Sequence, residues 1–229
     1  MNWPGANLPR HLLLLILLLL IFILSPFVGP YYYGPTILNI IAAVILLSAT
    51  YAVSARKGFL FFGLSLTAIS VVLTFWLAAK PMHWLIIASH GTLVILIGFF
   101  AIAILGYVLR SGKVTVDKIY GAVCVYLLFG YTWSFAYSLI EEVQPGSFTA
   151  LTTIDARDIV SRVMQMRYFS FVTLTGVGYG DIVPHTQLAR TMALLEAMLG
   201  QFYLVALIGR LVGLHIVHGN SDRSGPRSE

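Results

Sequence analysis

The sequence predicts an all-α membrane protein of six transmembrane helices, with a short helix and an extended glycine-rich strand folded back between the last two. Three observations carry this reading. Hydrophobic residues make up 59% of the 229 positions and charged residues only 10%, whereas water-soluble domains carry about 25% charged residues. The apolar positions gather into six runs long enough, or nearly so, to cross a hydrocarbon core of about 30 Å. The last two runs flank a segment too short to span, which has glycine at alternate positions.

The runs are Leu12–Val28, Thr36–Ser54, Phe59–Ala79, Trp84–Leu109, Ile119–Ile140 and Leu188–His215. Backbone polar groups find no water in lipid, so each run should close its own hydrogen bonds as a helix. Turn residues break the runs. Gly29-Pro30 and Gly34-Pro35 bracket an interfacial cluster of Tyr31, Tyr32 and Tyr33. Arg56-Lys57-Gly58, Lys80-Pro81 and Arg110-Ser111-Gly112-Lys113 separate the next runs.

Net charge is +5, but the cations are scattered between apolar runs, which fits cytoplasmic loops better than a nucleic-acid surface. With the N-terminus inside, the cytoplasmic segments hold Arg10, Arg56, Lys57, Arg110, Lys113, Lys118, Arg223 and Arg227. The short outer loops hold only Lys80, apart from the long segment with Arg157, Arg162 and Arg167 and from Arg190 at the start of the sixth run. Both termini are therefore expected in the cytoplasm. The first run, with Arg10-His11 before its leucines and Ser25-Pro26 after, also resembles a secretory signal, although no clean small-x-small cleavage site follows. Cys124 is the single cysteine, so no intrachain disulfide can form.

About 47 residues separate the fifth and sixth runs. Glu141 to Asp158 is polar and contains Pro145-Gly146, which suits an external turret. Arg162 to Thr175 is a half-span. Gly176-Val177-Gly178-Tyr179-Gly180-Asp181 follows, then Ile182-Val183-Pro184. Glycine-rich backbone at membrane depth is tolerated only inside protein or beside an aqueous path. A naked potassium ion needs a cage of oxygens to replace its hydration shell. For successive carbonyls to point one way, alternate residues must adopt angles that glycine accepts at little cost. Gly176, Gly178 and Gly180 have that period, and Val177 and Tyr179 would point away and wedge the strand against the preceding helix. The partly negative C-terminal end of that helix would face the cation.

Thr173-Leu-Thr-Gly-Val-Gly-Tyr-Gly-Asp181 resembles the potassium-channel selectivity filter, whose usual core is Thr-Val-Gly-Tyr-Gly with a trailing Asp. The resemblance covers about Ile119 to His215; the first four runs match only in number and hydrophobicity. It implies a homotetrameric channel pore, with potassium coordinated by Thr175, Gly176, Val177, Gly178, Tyr179 and Gly180. Asp181 would stand at the outer mouth. Thr173, Tyr168, Phe169 and Glu196 would support the pore helix, Tyr168 and Phe169 standing where the family often has a tryptophan pair. One departure matters. Gly176 replaces the family's threonine, so the innermost site loses a hydroxyl, which Thr175 cannot simply be assumed to restore. A weaker innermost site is expected, and lower potassium selectivity over sodium with it.

In the sixth run, Gly200 lies at the family's usual hinge position, 21 residues after Tyr179; a gating hinge and close helix packing are both open. Glu196 is the one acid inside a predicted span. It could hydrogen-bond behind the filter or face the ion path, since intramembrane carboxylates seek a partner or a cavity. Arg210 is expected at the cytoplasmic headgroups. The fourth run has His90 but no arginine before Arg110, so the usual voltage sensor is absent. His83 and His90 share a face if the helix includes both, which leaves proton sensing as one reading; His215 and His218 are more naturally interface residues than metal ligands.

The expected organisation is 1–115 as a four-helix transmembrane region, 116–218 as the pore domain and 219–229 as a short cytoplasmic tail. The expected function is passive potassium conduction in the plasma or inner membrane, with a weakly selective cation channel as the alternative. No cofactor is expected beyond the permeant ion. The expected partners are three further copies of the chain, lipid and potassium, and no nucleic acid. One pore loop argues against an uptake transporter carrying four loops in one polypeptide. An enzyme is disfavoured because no nucleophile–base pair, metal cluster or phosphate loop is present.

Overall fold

The computed structural model describes residues 10–29, 31, 33–53, 57–80, 82–110, 115–149 and 159–221, without the side chains of 53, 57, 78, 208 and 211–221. The expectations for Lys113, Arg56, Arg157, Arg223, Arg227, the distal turret, most of the tail, and the His215 and His218 side chains lie outside these residues.

Seven helices follow in order: α1 Arg10–Val28, α2 Gly34–Val53, α3 Lys57–Ala79, α4 His83–Val108, α5 Val116–Val143, α6 Ile159–Leu174 and α7 Gln187–Ser221. Five contain stretches long and apolar enough to cross a membrane: Arg10–Val28, Gly34–Ala52, Gly58–Leu77, His83–Val108 and Val116–Val143. The sixth expected span, Leu188–His215, lies within α7, much of whose second half falls outside the described side chains. The 16 residues of α6 reach only about 24 Å at 1.5 Å per residue, less than a hydrocarbon core.

Helices α1 to α5 form an antiparallel bundle in which α5 touches α1, α4, α6 and α7. Its centre holds Leu14, Leu18, Ile45, Leu46, Leu96, Phe100, Ile104, Val125 and Leu128. Lipid tails are as apolar as these side chains, so close van der Waals fit rather than escape from water must hold the helices together. Polar contacts add register. The Tyr131 hydroxyl donates to Leu18 O (3.1 Å), and the Thr50 and Thr67 hydroxyls meet at 3.3 Å. On the faces away from this centre, Ile102, Phe61 and Val72 are exposed.

α5 begins at a side-chain cap: Thr115 Oγ1 accepts from the Lys118 amide at 3.3 Å. Asp117 in the first turn suits the positive end of the helix dipole. It also collects the His11 ring nitrogen (2.9 Å), the His11 amide (3.1 Å) and the Tyr107 hydroxyl (3.0 Å), so α1, α4 and α5 share one carboxylate at that end. At the opposite end, Glu141 accepts from the amides of Gly146 and Phe148 and folds the loop after α5. That loop pairs with the chain before α7: Thr149 N–H donates to Val183 O (2.9 Å) and His185 N–H to Ser147 O (2.7 Å).

Candidate functional site

The site grows out of the C-terminus of α6. Gly176 takes a φ of +76° just beyond the last turn. Its N–H donates to Thr173 O and that of Val177 to Val172 O, both at 3.0 Å. These two bonds form a Schellman motif, in which glycine accepts the left-handed position. The Gly178 N–H adds a bond to the same Val172 oxygen at 3.3 Å. Gly178 and Gly180 have φ of +57° and +78°, a region that costs an L-residue roughly 1–2 kcal/mol. The alternating positive angles match the period read from the sequence. With amides turned into α6, the carbonyls of 176–180 accept no hydrogen bond among the described residues.

The Thr175 hydroxyl donates to Phe171 O at 2.7 Å, so it is committed to the helix rather than to the position where Gly176 lacks an oxygen. Behind Gly176 lies Gln201: a Cβ on the glycine would come within 2.8 Å of its Nε2.

The expected bracing of the strand is only partly present within one chain. Tyr168 stacks on Tyr179 with ring planes 4° apart and centroids at 6.4 Å, and it faces the Asp181 carboxylate. Phe169 points elsewhere. Its ring is buried against Tyr137 and Phe148, so it ties α6 to α5 and the outer loop instead of touching Tyr179. A helix turns about 100° per residue, which separates these neighbours onto different faces. Val177 and Tyr179 remain 53% and 70% exposed, so the expected wedge is incomplete within the single chain. Asp181 accepts from the Ile182 amide at 3.1 Å, and Ile182 is buried beside Phe148 and Ala189.

Glu196 on α7 is fully buried. The Tyr137 hydroxyl donates to its Oε2 at 2.6 Å, and Ser170 Oγ lies 2.5 Å from its Oε1. Ser170 Oγ is also 2.7 Å from Gly130 O. The carboxyl therefore joins α5, α6 and α7 behind the strand, one of the two placements open from sequence.

Gly200 is a close-approach glycine. A Cβ there would lie 2.2 Å from Leu174 O and 3.0 Å from Leu174 Cδ1. The same Leu174 oxygen accepts from the Tyr126 hydroxyl at 3.2 Å, so the last turn of α6 is gripped from both α5 and α7. Farther along α7, Tyr203 donates to Ala122 O at 2.6 Å. Arg210 Nη2 donates to Arg110 O at 3.0 Å, alongside Lys118 Nζ at 3.0 Å, which puts it at the end of the bundle where the cytoplasmic cations were expected. Two cations thus converge on the carbonyl just past α4, where the helix dipole favours positive charge.

At the other end, Glu142 pairs with His83 Nδ1 (2.7 Å) and with Arg162 Nη1 (3.1 Å). α4 does begin at His83, whose ring meets Glu142, whereas His90 is buried and tilted against Phe135. Sequence reasoning missed Tyr137, Ser170, Tyr126 and Gln201. The first three are polar groups at helix–helix seams, and an isolated seam residue carries no motif. No group of three or more His, Cys, Asp or Glu suited to a metal occurs among the described residues.

No curated protein matches the chain. Residues 114–214, from the start of α5 through the glycine strand and most of α7, match the family model described as ion channel, and that part of the chain is similar to the ion-channel family.

Proposed function

We propose that four copies of this chain assemble around one axis as a potassium-selective channel for passive conduction. The observation that carries this reading is the glycine strand. Gly176, Gly178 and Gly180 alternate in the positive-φ region, and the amides of Val177 and Gly178 are drawn to Val172 O, which leaves the strand carbonyls unpartnered. A dehydrated cation needs oxygens on all sides. One strand supplies one wall, so the cage calls for symmetry-related copies. The exposed faces of Val177 and Tyr179 then become subunit contacts, and Asp181 attracts cations to the mouth. Residues 116–218 form the pore domain, 1–115 surround it and 219–229 form the tail. Both termini lie in the cytoplasm of a plasma or inner membrane.

The test is flux from purified protein in liposomes, with potassium and sodium on opposite sides, beside a mass measurement in native lipid. A potassium current from a tetramer is expected. The absence of current from every alkali metal, or a lone protomer, overturns the reading.

A second reading is a weakly selective monovalent cation channel. Gly176 brings no hydroxyl, and the Thr175 hydroxyl is held by Phe171 O, so the innermost site has carbonyls alone. A reversal potential close to zero in that gradient favours this reading over strict selectivity.

A further inference from the structure

A cavity of about 250 Å³ lies between α1, α2, α3, α4, α5 and α6, outside the glycine strand. Its lining is mostly hydrocarbon, with Leu18, Leu38, Phe75 and Phe100 among the contributors. Three of its lining side chains carry buried polar atoms without a hydrogen-bond partner: Ser70 Oγ, His90 Nδ1 and Arg167 Nε. Arg167 is the unusual one. Its Nη1 donates to Ser25 Oγ at 3.0 Å and its guanidinium lies 5.2 Å from the Tyr131 ring centroid. No carboxylate among the described residues pairs with it. A cation held among helices without a counter-ion is costly, and such residues find a partner or mark a site.

The place of the cavity selects the ligand. In the antiparallel bundle, the end of α1, the start of α2, the end of α3, the start of α4 and the start of α6 lie on one side. The lining comes largely from these ends. Ser25, which holds Arg167, is three residues from the end of α1, about 4.5 Å of helix, within reach of a headgroup layer. From Ser89 to Phe100 the lining follows α4 inward for about 16 Å, the hydrocarbon depth of one leaflet. A cation at the rim and an apolar slot running toward the midplane match an oxyanion headgroup and its acyl chain in their ordinary bilayer orientation.

We infer that this cavity binds an anionic phospholipid of the surrounding leaflet, its phosphate on Arg167 and one acyl chain among α1 to α4. Arg167 belongs to α6, seven residues before Leu174, so occupancy bears on the helix that carries the glycine strand. The inference requires only that the chain lies in a bilayer and stands apart from the proposed ion selectivity.

The test uses full-length protein in phosphatidylcholine nanodiscs carrying a trace of phosphatidylglycerol with a photoactivatable acyl tail. Labelled peptides are mapped by mass spectrometry. Labelling of cavity residues such as Leu38 and Phe75 is expected, displaced by phosphatidylglycerol and not by phosphatidylcholine. It should fall about tenfold in Arg167→Gln, the loss of one charge-assisted contact, and persist in Arg167→Lys. Ala42→Phe, which fills the cavity and keeps the cation, should abolish it and decides the matter if Arg167→Gln fails to fold. Labelling confined to outward residues such as Val72 and Ile102, unchanged by these substitutions, overturns the inference. Displacement by a free fatty acid but not by phosphatidylglycerol overturns the phospholipid assignment.

Discussion

Ser170 Oγ sits 2.5 Å from Glu196 Oε1 and 2.7 Å from Gly130 O. One hydroxyl proton faces two oxygens, while the other carboxyl oxygen already accepts from Tyr137. A glutamine at 196 can donate to Ser170 and still accept from Tyr137. Glu196→Gln should therefore hold the assembly nearly as well as wild type. Glu196→Ala leaves the buried Tyr137 hydroxyl unpaired, at a cost of about 1–3 kcal/mol, while Ser170 keeps Gly130 O. Thermal melting of the detergent-solubilised protein tests this order; equal loss in both variants would show that the carboxyl itself is required.

Gly200→Ala should destabilise. Its methyl would lie 2.2 Å from Leu174 O, a backbone atom that cannot rotate aside. Forcing a methyl into packed structure costs about 1–3 kcal/mol. A pure hinge would behave differently, since alanine favours helix over glycine. A melting temperature that drops supports packing; one that rises while gating slows supports the hinge.

Gly176→Thr, the change that restores the family's residue, should not be benign. The position has φ of +76° and Gln201 crowds it at 2.8 Å. The backbone contribution alone is roughly 1–2 kcal/mol. Pairing it with Gln201→Ala relieves the contact but not the angle, so the double variant should recover only part of the lost stability. Thr175→Val should leave ion selectivity unchanged, because the hydroxyl bonds to Phe171 O. A changed reversal potential in Thr175→Val refutes that assignment.

Glu142 bridges α4, α5 and α6 through His83 and Arg162. The His83 side chain is 66% exposed and that of Arg162 22%. Losing the carboxylate strands the more enclosed arginine, whereas losing His83 removes a contact that water can replace. Glu142→Ala should thus destabilise clearly more than His83→Ala, as read by melting of each variant beside wild type.

Much of this architecture was legible in the chain. The apolar runs located α1 to α5 within a few residues, because lipid forces every run to close its own bonds. Alternating glycines announced the positive φ angles, since few other residues tolerate them. What was hidden depends on contacts between distant segments. Tyr168 and Phe169 are adjacent in sequence, yet one faces Tyr179 and the other Tyr137. Arg210 could be placed at its end of the bundle, but no sequence pattern names Arg110 O as its partner. Glu196 declared its need for a partner, but no spacing rule names Ser170 or Tyr137.

The helix cap at Gly176 has an electrical consequence. By drawing the amides of Val177 and Gly178 onto Val172 O, the turn removes positive hydrogens from that stretch of the strand and leaves a surface of bare oxygen. In the proposed pore, chloride would be repelled from this surface before its radius mattered. Sorting by sign would then begin at the stop signal of α6, ahead of any sorting by size.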